Sequence, residues 1–246
     1  MYILHKTSGA RNGKFLAPPS NMCYDKQNEV RELKDIPLFT TEAGIASLLL
    51  GEVSYRKEAY VRVQSVQPGK LEELLNECVS FCRMVGAERV LAGDHEELER
   101  YPLQFSIIKM QGTVDSEERE IAHLFPVTDA TMAEWRQLCN RRLANVDGAA
   151  TMTAADEKTI LSSGGAYFVH RNEELLGAGW VEGNQLRLIC TAEPGMGEIV
   201  MRTLLSLAEE EQCVLEVAST NSRAIRLYER LGFIAVAELQ RWYKIF

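Results

Sequence analysis

Residues 221–233 read Asn-Ser-Arg-Ala-Ile-Arg-Leu-Tyr-Glu-Arg-Leu-Gly-Phe. Asn221 and Ser222 make a strong N-cap pair, because a short oxygen-bearing side chain takes up a free N–H of the first turn. Ala224, Ile225, Leu227, Tyr228 and Leu231 recur at helical spacing and give the segment one apolar face. Gly232 supplies the stop, and Phe233 opens a strand-like run. Tyr228 is the odd member of that face. Its ring belongs with the apolar residues, but its hydroxyl needs a partner or a cavity. Two readings stay open: a core tyrosine with a satisfied hydroxyl, or a phenol held at a cleft edge as a proton donor.

The rest of the C-terminal half has a readable order. Residues 121–127 are a strand, followed by a helix from about Asp129 to Val146 and a second helix over 152–163 that Gly164-Gly165 ends. Residues 166–169 and 175–181 are short apolar strands, and Gly183-Asn184 turns the chain into a strand at 186–190. An amphipathic helix from Met196 to about Glu211 follows, with Ile199, Val200, Thr203, Leu204 and Leu207 on its buried side. Residues 214–217 are a buried strand, and the chain ends with strands at 234–236 and 242–246.

The N-terminal half is less regular. The pattern predicts a helix at 42–50, a strand at 59–66, an amphipathic helix at 71–85 and strands at 89–92 and 103–110. The first forty residues carry few periodic signals, and the polar run 113–119 reads as a linker. Two domains are expected, 1–115 and 120–246.

Composition narrows the function classes. The 246 residues are 46% hydrophobic and 25% charged, as in a soluble globular protein. The formal charge is −8, and each half carries −4, so neither half is a basic nucleic-acid footprint. An acidic surface suits a cationic substrate such as an amine. No segment has the length of a transmembrane helix, and the N-terminus lacks a signal-peptide core, so a cytoplasmic protein is expected. The six cysteines include no CxxC pair. Cys78 and Cys82 stand at i, i+4 with no histidine to join them, so reduced core thiols, and no metal, are expected.

The 221–233 run resembles the closing motif of the GCN5-related N-acetyltransferase (GNAT) superfamily, N-x-x-A-x-x-x-Y-x-x-x-G-F. Asn221, Ala224, Tyr228, Gly232 and Phe233 stand at its five fixed positions. The resemblance implies an α/β (α+β) fold with a mixed central sheet flanked by helices, and the element order above is the family's. The N-terminal half is then a degenerate second copy of the fold or an unrelated α+β domain. It repeats strand, helix and strand, but without the closing motif.

The resemblance also implies acetyl-CoA as cosubstrate. A pyrophosphate needs free backbone N–H groups at a helix start with no side chain in the way. Gly195, Met196 and Gly197 stand where the family's glycine loop would be. Three departures stand beside them: Ala192 occupies the usual Gln or Arg position, the loop before the glycines is shorter than the family's, and Glu198 adds a carboxylate at the helix start. Arg223 or Arg226 could supply the missing charge. Leu188, Ile189 and Cys190 fall where the family pairs the pantetheine arm with a strand, and Asn221, Arg226 and Tyr228 complete the cofactor set. For catalysis the resemblance implies Tyr228 as acid to the departing sulfur, and a backbone N–H near Ile189 or Cys190 for the oxyanion. Glu182 is the candidate base that frees the amine. Trp135, Arg141 and Arg142 are candidates for the acceptor pocket.

The implied activity is transfer of an acyl group, acetyl foremost, from CoA to a primary amine of a small molecule or peptide. The alternative is a weak or inactive protein of this fold that binds CoA or a protein partner. A homodimer is an open assembly; neither nucleic acid nor membrane is an expected partner.

Overall fold

Alternating apolar residues build the first strands of this computed structural model, which describes residues 33–113, 122–208 and 212–246. The chain divides into two units, one reaching to Arg100 and taking in Lys244–Phe246, the other running from Tyr101 to Tyr243. The first unit holds β1 (Ile36–Thr40), β2 (Gly44–Leu49), α1 (Val53–Arg56), β3 (Glu58–Val66), α2 (Leu71–Met84) and β4 (Arg89–Gly93). A 3-10 turn over Glu96–Arg100 follows. β1, β2 and β3 pair antiparallel, whereas β3 and β4 are parallel with α2 as the crossover. α2 buries Leu71, Leu74, Leu75, Cys78 and Cys82, one stripe of its surface. Val90 exchanges backbone hydrogen bonds with Phe246 and also accepts from Ile245.

The helix expected at 42–50 is instead β2. Ala46, Leu48 and Leu50 are buried at period two, and a short apolar run does not separate helix from strand by itself. At Gly44 a Cβ would stand 2.4 Å from the Ser65 carbonyl oxygen, so a neighbouring strand lies where a side chain would be.

The second unit holds β5 (Leu103–Thr113), β6 (His123–Pro126), α3 (Met132–Leu143), α4 (Ala154–Ser163), β7 (Ala166–Arg171), β8 (Glu174–Glu182) and β9 (Gln185–Thr191). It continues through α5 (Gly197–Leu205), β10 (Gln212–Ala218), α6 (Ser222–Arg230) and β11 (Ile234–Lys244). Its strands lie in the order β11-β5-β10-β9-β8-β7-β6. β9 and β10 are parallel, and the other neighbours are antiparallel.

Three differences from expectation have physical reasons. β5, assigned by sequence to the N-terminal domain, belongs to the second unit: it pairs with β10 along Ile107–Thr113 and with β11 on its other edge. Burial of Phe105, Ile107 and Met110 fixes it there. The two terminal strands are one, β11, whose register shifts at three points against β5, so local irregularity rather than a break interrupts its pattern. α3 starts at Met132, after a turn in which Thr128 N donates to Thr131 Oγ1, and not near Asp129. α5 ends at Leu205, with Ser206 as its C-cap, and so is shorter than the helix expected to reach about Glu211; residues 114–121, with nearly all of the expected linker, and 209–211 lie outside the described residues.

Packing on β8 is close. A Cβ at Gly179 would stand 2.2 Å from Leu204 Cδ1, and one at Gly177 would stand 3.0 Å from Val200 Cγ2, so α5 rests directly on the strand. α4 is held by a reciprocal capping box between Thr153 and Asp156. Trp135, on α3, is fully buried and donates its indole N–H to Tyr167 O.

Candidate active site

Among the described residues, the neighbours β9 and β10 pair only at Val214↔Gln185 and Leu215↔Leu186. Beyond that point the two strands part. β9 also carries a bulge: Val181 faces Leu186 and Trp180 faces Leu188, leaving Arg187 unmatched, and a bulge bends its strand. Past the bulge, Ala192 N donates to Leu176 O, while the carbonyls of Cys190 and Leu188 lie toward the β8 glycines. Backbone polar groups alternate sides along a strand. The N–H and C=O of Ile189 and Thr191 therefore turn toward the gap between β9 and β10.

A cavity of about 570 Å³ lies in this region. Ile189, Cys190 and Thr191 line it from β9, Gly195 and Gly197 from the turn before α5, and Asn221, Arg223, Arg226, Tyr228 and Arg230 from α6 and its cap. The glycines have distinct jobs. Gly195 has φ 94°, a conformation that a side chain strains. Gly197 begins α5, and a Cβ there would stand 2.9 Å from Leu227 Cδ2. Between them Met196 caps α5 without a side-chain bond, so its first N–H groups have no side-chain acceptor from the cap.

The charges around the cavity are uneven. Arg142, Arg223, Arg226 and Arg230 line it, against Glu193 and Glu198. On α6 the arginines stand at i, i+3 and i+7, hence on one face. Glu198 is paired with Arg202 at 3.2 Å, so the carboxylate at the start of α5 is partly compensated. Arg142 donates to the carbonyl of Ala192 and lies 3.7 Å from Glu193.

α6 carries the phenol. Asn221 Oδ1 accepts from Ala224 N at 3.2 Å, which fixes the helix start. Tyr228 lines the cavity yet is only 3% exposed, and its ring packs 6.4 Å from Phe233. Among the described residues its hydroxyl has no hydrogen-bond partner. Burial pushes the phenol well above its ordinary value, so it is a protonated donor throughout the neutral range.

The cavity unites Ile189, Cys190, Gly195, Gly197, Asn221, Arg226 and Tyr228 from the expected set. It does not include three others. Leu188 is fully buried in the core, and Met196 caps α5 with its side chain against the core cluster. Glu182 is exposed at the far end of the β8–β9 hairpin, where its carboxylate accepts from Arg187 Nε at 2.9 Å. From its partner Gln185 to Ile189 the strand runs about 13 Å at ~3.3 Å per residue, which sets Glu182 apart from that part of the cavity. Trp135 is a packing residue, and Arg141 is exposed and does not line the cavity. Arg230 was not foreseen, although its helical spacing from Arg223 and Arg226 was visible. Among the described residues, no group of three or more His, Cys, Asp or Glu is placed to hold a metal ion, and no helix is long and apolar enough to cross a membrane.

In class, the second unit is an α/β domain whose sheet opens between two parallel strands beside a glycine turn. Residues 194–233, the glycine turn through the closing motif, match the Acetyltransferase (GNAT) family. A GCN5-related N-acetyltransferase from Sphaerobacter thermophilus superposes with a TM-score of 0.53 at 12% identity, over 82% of this chain and 77% of that one. One from Anabaena variabilis ATCC 29413 gives 0.56 at 14% identity, over 81% and 58%. The glucosamine N-acetyltransferase region of a fungal multi-domain GH3 β-N-acetylglucosaminidase gives 0.51 at 10%, over 82% and 31%. At these identities the likeness is one of fold. No curated protein matches the sequence. The matched segment and the shared fold both point to the GNAT superfamily.

Proposed function

We propose that the second unit is an acyl-CoA-dependent N-acyltransferase that moves acetyl to a primary amine of a small molecule or peptide. The observation that carries this reading is the parting of β9 and β10 beside a cavity with a glycine turn at one side and an arginine face at the other. These residues fit a CoA thioester, which when bound supplies the activated acyl group. The turn at Gly195–Gly197 presents helix-start N–H groups to phosphate. Arg226, with Arg223 and Arg230, adds the positive charge that Ala192 does not. Ile189 and Thr191 offer strand-edge groups to a pantetheine arm.

The same arrangement supports a reading of the chemistry. Ile189 N–H, turned to the gap, is the donor for charge developing on a carbonyl oxygen, where a fixed dipole in a dry site acts most strongly. Tyr228, buried and protonated, is the proton source for a departing thiolate. With Glu182 outside the cavity lining, the ammonium of the acceptor gives its proton to water at the mouth of the cavity. The acceptor itself is an amine admitted past α3 and the segment that follows it.

For the N-terminal unit the proposal is a degenerate copy of the same fold. The neighbours above each cover more than four fifths of this chain, a larger share than the second unit supplies by itself. Cavity residues that bind without turnover are the second reading, favoured by Ala192, by Glu198 at the start of α5 and by the place of Glu182 outside the cavity lining. Calorimetry with acetyl-CoA, followed by a screen of amines for CoA release, separates the two. Micromolar binding with release on one amine class supports transfer; binding with no release on any amine supports the second reading. Absence of binding removes both.

A further inference from the structure

Two cysteines meet at the wall of the cavity. Cys190 Sγ, on β9, lies 3.8 Å from Cys139 Sγ, on α3. Their surroundings differ. Cys190 lines the cavity, whereas Cys139 is fully buried behind it. A molecule in the cavity can touch Cys190 but not Cys139, and Cys139 can touch Cys190. That is the layout of an attacking thiol backed by a resolving one.

The electrostatics divide the roles in the same way. The hydrogen bond shared with Cys139 holds the Cys190 thiol below its ordinary value, against the cost of burial, and the Arg142 guanidinium adds to the lowering. Arg142 sits one turn after Cys139 on α3 and is anchored on Ala192 O, just past the end of β9. Burial pushes Cys139 well up, so it stays a thiol until Cys190 has reacted. Cys78 and Cys82, by contrast, are both pushed up to about 12 by burial in α2, which leaves them inert.

We propose that Cys190 and Cys139 are a dithiol that reduces a disulfide of CoA at the cavity. This rests on the reading of the cavity as a CoA site. The Cys190 thiolate attacks the CoA sulfur, forming a Cys190–CoA disulfide and expelling the other thiol as its thiolate. Cys139, giving up its proton, then attacks Cys190 Sγ and expels CoA thiolate. The sulfurs close from 3.8 Å to the ~2.05 Å of a disulfide. The ligand disulfide gains two electrons, the protein dithiol loses two, and the two cysteine protons end on the two released thiols. The cavity is the reason to expect a CoA disulfide and not a general oxidant: Cys190 is 5% exposed and lines the cavity, whose arginine face selects a polyphosphorylated ligand.

The reduced chain is incubated with CoA disulfide or glutathione disulfide, quenched by alkylation, and mapped by mass spectrometry while released thiol is counted. The expected result is two CoA thiols per chain and a peptide linked between Cys139 and Cys190, with glutathione disulfide at least tenfold slower. Cys139→Ser stops at one CoA released and one CoA on Cys190, and Cys190→Ser gives neither; Cys139→Ala replaces the first variant if it does not fold. Both thiols still alkylatable after CoA disulfide, or equal rates with glutathione disulfide, would overturn the proposal. Calorimetry of the reduced chain with CoA tells the failures apart: binding without exchange removes the dithiol role alone, and no binding removes the CoA reading beneath it.

Discussion

Replacing Tyr228 with Phe removes one oxygen from a buried ring and separates a catalytic phenol from a structural one. The hydroxyl has no partner among the described residues and faces the cavity. Its loss therefore breaks no protein hydrogen bond, and stability should stay within about 0.5 kcal/mol, the range of a side chain free of such ties. Loss of a partnered hydroxyl would cost ~1 kcal/mol, a fall of roughly 2–4 °C in melting temperature for a chain of this size. Activity should move the other way: a positioned general acid contributes about 10²–10⁴-fold, so kcat should fall by that factor. The assay pairs thermal unfolding with thiol release on the acceptor that the amine screen identifies. Alkaline pH gives an independent check. Because burial raises the phenol above its ordinary value of 10.0, the folded chain keeps a proton that the unfolded chain releases. The stability carried by the neutral phenol is whole below pH ~10 and is lost as pH rises past it. Tyr228→Phe should flatten that decline in part, since buried Tyr60 is raised in the same direction. A melting temperature lowered by several degrees with kcat unchanged would refute the reasoning and make Tyr228 a core residue.

Three other outcomes follow from the same geometry. Arg226→Ala should weaken acetyl-CoA binding about tenfold by calorimetry, the loss of one charge-assisted bond, and should make affinity less sensitive to salt. Asn221→Ala should cost about 1 kcal/mol by denaturant unfolding and Asn221→Gly only a few tenths, because the cap bond to Ala224 N is lost in both and glycine relieves the cap backbone. A fragment of residues 120–246 should show no cooperative unfolding by circular dichroism, whereas 101–246 should unfold cooperatively. Only the longer one contains β5, the strand between β10 and β11; cooperative unfolding of the shorter fragment would remove that argument.

What the sequence could disclose depended on how local its cause is. The α6 helix was fully legible, since Asn221, the apolar stripe and Gly232 encode start, face and stop within one short run. The hairpin from β8 to β9 was legible for the same reason, its turn being Gly183-Asn184. β2 was not, because Ala46, Leu48 and Leu50 acquire their period from neighbouring strands. The place of β5 was hidden more deeply: its partners begin about a hundred residues later in the chain. The place of Glu182 outside the cavity lining was hidden for a related reason. Its type and its neighbourhood to Gly-Trp-Val were visible, but the hairpin end where it pairs with Arg187 was a matter of register. The cavity arginines lay between these cases, since helical spacing joins Arg223, Arg226 and Arg230 but only tertiary packing turns that face to Gly197.

Ala192 looked from sequence like a loss, since the position otherwise carries a side chain able to grip phosphate. The structure brings charge to the same place by another route. Arg142, fifty residues earlier, donates to the Ala192 carbonyl, so a guanidinium from α3 stands where the strand's own side chain is short. Four arginines and two glutamates line the cavity of a chain whose formal charge is −8. One glutamate is tied to Arg202 and the other lies beside Arg142. Such a local reversal of sign draws a polyanion to one face while the remaining surface repels it, and a concave wall concentrates the field. The altered loop then carries less of the binding and α6 carries more. Affinity for CoA should therefore respond more to Arg223 and Arg226 than to any change at Ala192, the opposite ranking to one based on the loop motif alone.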